Sequence, residues 1–188
     1  MIQISGTIQR TFIFPATPAD TLTFFSELIR VAQFMPHISL VHTYAPHQIR
    51  ALYESLELGS YTIRIFTDLE GAIDRQAQTI SVHPVKIPTA VPIKSEATLR
   101  ETVGHGLFAI QAQLFDMDDQ TRIEATLRLQ AELEQPRGMN LMPKRVVNRI
   151  AQGITDHRLR EMADGFIKAS LAAYHDCEGC EAMCRLAE

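Results

Sequence analysis

Apolar and polar residues alternate along positions 4 to 14, with Ile4, Ile8, Phe12 and Phe14 on one parity. That period of two predicts a half-buried strand, which Pro15 ends. The spacing then lengthens. In TPADTLTFFSELIRVAQFMP, Thr17 is placed to cap a helix and Pro18 falls in its first turn. Leu22, Phe25, Leu28, Ile29 and Ala32 recur at helical intervals up to Pro36. One helix, or two short ones, is predicted there. From Ile38 to about Glu134 the period returns to two. Leu58, Gly59 and Ser60 separate Ile49–Glu57 from Tyr61–Leu69, and Asp116, Met117, Asp118 and Asp119 separate Leu107–Phe115 from Arg122–Leu133. Both units read as antiparallel hairpins. The last strand is the cleanest: Ile123, Ala125, Leu127, Leu129, Ala131 and Leu133 face one way, and Arg122, Glu124, Arg128, Gln130 and Glu132 the other, so its sheet has one wet face.

Pro84, Pro88 and Pro92 recur every four residues in HPVKIPTAVPIK, and each removes a ladder donor. This segment is expected to be an extended connection or sheet edge, with the character of a flap. After Pro136, Gly138 and Pro143, a helix is predicted from Lys144 to about Tyr174. Val147, Ile150 and Ile154 lie on one face of it. Leu159, Met162, Ala163, Phe166 and Ser170 centre more than about 100° away. A bend near Gly153, or a change of packing partner there, accounts for the shift.

The order strand, helix pair, antiparallel strands, long helix gives an α+β chain in which a curved antiparallel sheet wraps a C-terminal helix and leaves a cavity between them. In that layout, in the opening TFIFPATPADTLTFFSELIRVAQFMPHI and in the closing NRIAQGITDHRLREMADGFIKASL, the chain resembles the START-like, or birch-pollen-allergen-like, helix-grip (SRPBCC) superfamily. The resemblance covers residues 1 to about 174 and is nearest to an uncharacterised branch found in cyanobacteria and plastids. It implies a helix-grip domain over 1–174, with 175–188 as a cysteine-rich addition. The superfamily holds lipid, hormone and polyketide binders, aromatase and cyclase enzymes, and oxygenase subunits, so carrier and enzyme both stay open.

Composition narrows the rest. The 188 residues are 46% hydrophobic, enough for one sizeable core, and the net charge of −4 gives no footprint for nucleic acid or an anionic membrane. No apolar run is long enough to span a bilayer and the first residues alternate, so a cytoplasmic protein is expected. There is no tryptophan, but nine phenylalanines and four tyrosines can wall a pocket. The expected ligand is a hydrophobic small molecule of the lipid, isoprenoid, polyketide or tetrapyrrole class. Arg10 shares the parity of Ile8 and Phe12, and Glu54 that of Leu52, Leu56 and Leu58. The two could pair with each other or anchor a ligand's polar end, unless a bulge puts each in water. Phe108, Leu127 and Phe166 are the candidate apolar walls.

Among the histidines, His37 follows a helix exit, His42 and His83 lie in strands, and His47 and His105 are expected at turns. No catalytic or nucleotide motif accompanies them. A cyclase-like enzyme using an inward histidine and carboxylate is a third reading, after ligand binding and a metal or cluster protein. That second reading rests on the three cysteines, Cys177, Cys180 and Cys184, which lie within the last twelve residues as C-x2-C-x3-C behind His175. The spacing matches the latter part of a ferredoxin-type run. With His175 or a group from a partner chain as fourth ligand, the thiolates could hold an iron–sulfur cluster or zinc, and a shared site would make a homo-oligomer. On an unbroken helix the sulfurs share one side and His175 points away, so its ligation needs a break, for which Gly179 is suited. A thiol–disulfide switch and a frayed end with reduced thiols are the other readings.

Overall fold

The computed structural model describes residues 1–57, 59–135 and 142–185, with side chains to residue 176. Leu58, Pro136 and Gly138 of the predicted turns lie outside the described residues. The elements run β1 (Ile2–Phe14), α1 (Pro18–Phe24), α2 (Leu28–Gln33), β2 (Ile38–Ala45), β3 (Gln48–Glu57), β4 (Tyr61–Asp74), β5 (Thr79–Pro84), β6 (Glu96–Ala97), β7 (Glu101–Met117), β8 (Gln120–Leu133) and α3 (Lys144–Arg185). The sheet order is β1-β8-β7-β5-β4-β3-β2, with β6 on β7. Every pairing is antiparallel except one, where Thr62–Phe66 of β4 lies parallel to Glu101–His105 of β7. This is the helix-grip arrangement expected from the sequence. Among the described residues, no helix is long and apolar enough to cross a membrane.

The local signals act where the sequence places them. Thr17 Oγ1 accepts from the Asp20 N–H, and Pro18 opens α1. The helix pair is two short helices because the chain leaves α1 at Phe25 and re-enters only at Leu28. The β7–β8 turn is tighter than expected: Met117 pairs with Gln120, leaving Asp118 and Asp119 as the loop, with Asp118 at φ 63°. His105 sits within β7, not at a turn, because β7 begins at Glu101 to pair with β4.

The sheet's concave face meets α3 through three apolar clusters. Val147 packs with Ile2, Ile4 and Leu133, and Leu159, Met162 and Ala163 pack with Ile49, Leu69 and Phe108. Phe14, Phe24, Phe25 and Tyr174 form a third cluster with edge and tilted ring contacts near 5 Å. The drift of the apolar stripe along α3 is therefore a change of packing partner. Two glycines let α3 approach closely. A Cβ at Gly6 would overlap Leu159 Cδ1, and one at Gly165 would overlap the ring of Pro36.

On the convex face, residues 85–95 are the proline-ruled connection. It covers a buried ion pair that the sequence reading did not identify. Arg50 donates through Nε and Nη2 to both oxygens of Asp68 at 2.7 and 2.8 Å, and through Nη1 to Val91 O at 2.6 Å. Both side chains are 7% exposed.

Candidate functional site

The space between sheet and helix forms the candidate site. Its main cavity, about 70 Å³, is lined by Ala51, Ile65 and Phe108 from the sheet, Met35 after α2, and Leu159 and Met162 of α3. Two further spaces adjoin it along the helix. One of about 60 Å³ shares Ile4 and Ile154 with it, and one of about 50 Å³ shares Val31 and Met35. An apolar cavity of about 150 Å³ takes up benzene, and methionine side chains move easily, so these spaces together have the scale of a ring-sized guest. A surface groove of about 380 Å³ beside Ser26 and Gly71 shares Leu28, Val31 and Val82 with the main cavity.

Phe108 lines the main cavity, while Leu127 and Phe166 line the space toward the β1 side. Arg10 points inward as its parity requires and reaches the rim of that same space. Its guanidinium is already engaged: Nε donates to Asp164 Oδ1 at 2.7 Å and Nη2 to Oδ2 at 3.3 Å. That pairing holds the Asp164 carboxyl below its ordinary range.

Glu54 requires a correction. It faces outward, where Arg64 donates to it at 2.5 Å and also to Glu101 at 2.6 Å, so Arg10 and Glu54 are not brought together. The inward residues of β3 are Ile49, Ala51, Tyr53, Ser55 and Glu57, and Leu56 is 59% exposed. The parity that Glu54 shares with Leu52 and Leu56 is the outer one. The true inner face turns polar toward Glu57 because it meets a charged stretch of α3.

There Arg158, which lines the main cavity, donates to Glu57 Oε1 at 2.8 Å and to Glu161 Oε2. His37 Nε2 lies 3.1 Å from the other Glu161 oxygen. Arg158 and His37 hold the Glu161 carboxyl below its ordinary range, and the two carboxylates raise the Arg158 guanidinium. His37 and Glu161 are thus a histidine–carboxylate pair, yet neither lines the cavity. Tyr53 and Thr67 do line it, and burial pushes the Tyr53 phenol up. The pairing of an acid and a base three apart on α3, Arg158 and Glu161, is the signal that could have pointed here.

For the tail, the helical backbone continues through Gly179 to Arg185, without the break that ligation by His175 requires. His175 is exposed, and the side chains of Cys177, Cys180 and Cys184 lie outside the described residues. Among the described residues, no group of three or more histidine, cysteine, aspartate or glutamate side chains is placed to hold a metal.

No family model matches the chain, and no curated protein matches it. Its fold is similar to solved structures across nearly the whole length. A conserved protein of Geobacillus kaustophilus aligns with TM-score 0.54 at 10% identity, covering 92% of this chain and 95% of that one. A START superfamily protein of Mycobacterium smegmatis aligns with TM-score 0.51 at 12% identity over 91% and 98%. A protein of Thermus thermophilus does so with TM-score 0.51 at 13% identity over 89% and 99%.

Proposed function

We propose that this protein binds a hydrophobic small molecule between its sheet and α3, without catalysis, as a member of the START-like superfamily. The observation that carries the reading is the main cavity itself: of its lining, only Tyr53, Thr67, Thr155 and Arg158 bear a polar side chain. At about 25 cal/mol per Å² of apolar area removed from water, a guest losing on the order of 200 Å² gains about 5 kcal/mol. That suits a lipid, isoprenoid, polyketide or tetrapyrrole fragment seated among methionine, leucine and phenylalanine walls. The fold shared with the Mycobacterium smegmatis START protein supports the superfamily placement. The finer placement in a cyanobacterial and plastid branch rests on the opening and closing segments alone. The test is native mass spectrometry after exposure to a mixed lipid and isoprenoid extract. A bound small molecule is expected, and Ala51→Leu, which adds carbons on the cavity wall, should reduce it while leaving circular dichroism unchanged. No adduct in either protein overturns the proposal.

A second reading concerns the tail. Because α3 is helical to Arg185, positions 177, 180 and 184 fall on one side of it. This supports three thiolates acting as one soft-ligand site for an iron–sulfur cluster or zinc, completed by a second copy of the chain, since His175 lies on the other side. Anaerobic reconstitution followed by metal analysis and a visible spectrum tests it. Each single cysteine-to-serine change should abolish the bound metal, and wild-type protein with neither metal nor colour overturns it.

A further inference from the structure

Thr67 is 5% exposed, lies on the inner face of β4 opposite Ala51, and lines the main cavity. Its hydroxyl has no hydrogen-bond partner. A buried hydroxyl left unpaired costs about 1–3 kcal/mol, so such a group calls for a partner that completes it. The charges around the cavity limit what that partner is. The two arginines that line the three inner spaces are Arg158 and Arg10, and each is paired with carboxylate. Arg158 faces two of them, Glu57 and Glu161, and the second inner space, which Glu57 also lines, adds Glu134. An anionic head group brought into these spaces meets, among the described residues that line them, no unpaired cation and an excess of negative charge.

Resting on the binding function proposed above, we infer that the ligand is an uncharged, oxygenated hydrophobe whose hydroxyl or carbonyl completes the hydrogen bonding of Thr67. Acidic amphiphiles are excluded. This reverses the role expected for Arg10: its guanidinium fastens β1 to α3 through Asp164 and is not a carboxylate anchor. Of the threonine hydroxyls on the cavity wall, Thr155 Oγ1 already donates to Ala151 O, whereas that of Thr67 is unpaired. Its Oγ1 can donate to a carbonyl or accept from an alcohol, whereas the remaining wall there, Ala51, Ile65, Leu69 and Phe108, offers only carbon.

The experiment is an NMR titration of the full chain with three matched probes: methylcyclohexane, cyclohexylmethanol and cyclohexanecarboxylate at pH 7. The alcohol is expected to bind about five-fold more tightly than the alkane, the worth of one neutral hydrogen bond. The carboxylate should bind at least about ten-fold more weakly than the alcohol, because its charge is buried without a free cation. Thr67→Val should bring the alcohol down to the alkane without moving the alkane, and Thr67→Ser should restore the difference. If the alkane binds and the alcohol gains nothing, or if Thr67→Val leaves their ratio intact, this inference fails and the binding function stands. A carboxylate that binds as well as the alcohol also overturns it. If none of the three binds, both fall.

Discussion

The close approach of α3 to β1 at Gly6 permits a quantitative test. Leu159 is 2% exposed, and its Cδ1 occupies the volume that a Cβ on residue 6 would need, with Thr155 Cγ2 at 3.4 Å from that point. Leu159→Ala removes three carbons, about 2.4 kcal/mol at roughly 0.8 per methylene. The void left, on the order of 70 Å³ at about 24 cal/mol per Å³, adds about 1.7 kcal/mol. The expected loss is about 4 kcal/mol. Gly6→Ala alone overpacks the contact, at about 1–3 kcal/mol, offset in part by about 0.4–1 kcal/mol from a stiffer unfolded chain. The double variant differs in kind, because the new methyl enters space that Leu159 has vacated. Its loss should fall short of the sum of the singles by about 1–2 kcal/mol. Urea unfolding with an unchanged m-value measures all three. Additivity within about 0.5 kcal/mol would show that the helix does not press on β1 at this point.

Three further outcomes are expected. Asp68→Asn leaves the Arg50 guanidinium buried without its counter-charge and should cost about 3–5 kcal/mol, whereas replacing both partners with apolar residues should be near neutral; a loss under about 1 kcal/mol in urea would show that the proline-ruled segment does not seal the pair. Thr121 Oγ1 donates to Ala16 O at 2.7 Å within a fully buried site, so Thr121→Val should lower stability by about 1–3 kcal/mol, and an unchanged melting temperature would contradict that bond. The carboxyls of Glu161 and Asp164 are depressed in the folded protein, so their contribution is full above their ordinary values of 4.5 and 3.8 and is lost as the pH falls through the folded values. Stability measured against pH should therefore drop below about pH 4.5, and Arg10→Met should flatten the Asp164 part of that drop; an identical slope in the variant would refute the assignment.

The parts of the fold legible in the sequence are those in which one strand or helix meets a uniform surface. β8 alternates cleanly because Ile123, Leu127, Ala131 and Leu133 are buried in the core while Glu124, Arg128, Gln130 and Glu132 on its other face are exposed. Thr17 and Pro18 mark α1 because a helix start is decided by neighbours in the chain. β3 misled because both of its faces mix polar and apolar residues: Leu52 and Leu56 lie outside, while Tyr53, Ser55 and Glu57 lie inside. The reason is Arg158, a hundred residues further along the chain, which turns a glutamate into an inward residue. Arg10 was legible as inward, but its partner Asp164 was not, since nothing in local spacing links the two. The proline-ruled segment was legible as something other than a central strand. That it shelters Arg50 and Asp68 depends on strand register, which pattern alone does not fix.

Methyl NMR of the full chain titrated with cyclohexylmethanol tests most directly whether the space under α3 is the binding site. Saturable shifts confined to the methyls of Met35, Ala51, Leu69, Leu159 and Met162, which all line the main cavity, are the expected result. Shifts that appear instead at the exposed methyls of Leu56, Val91 and Leu107, or that never saturate, would contradict a ligand held between sheet and helix.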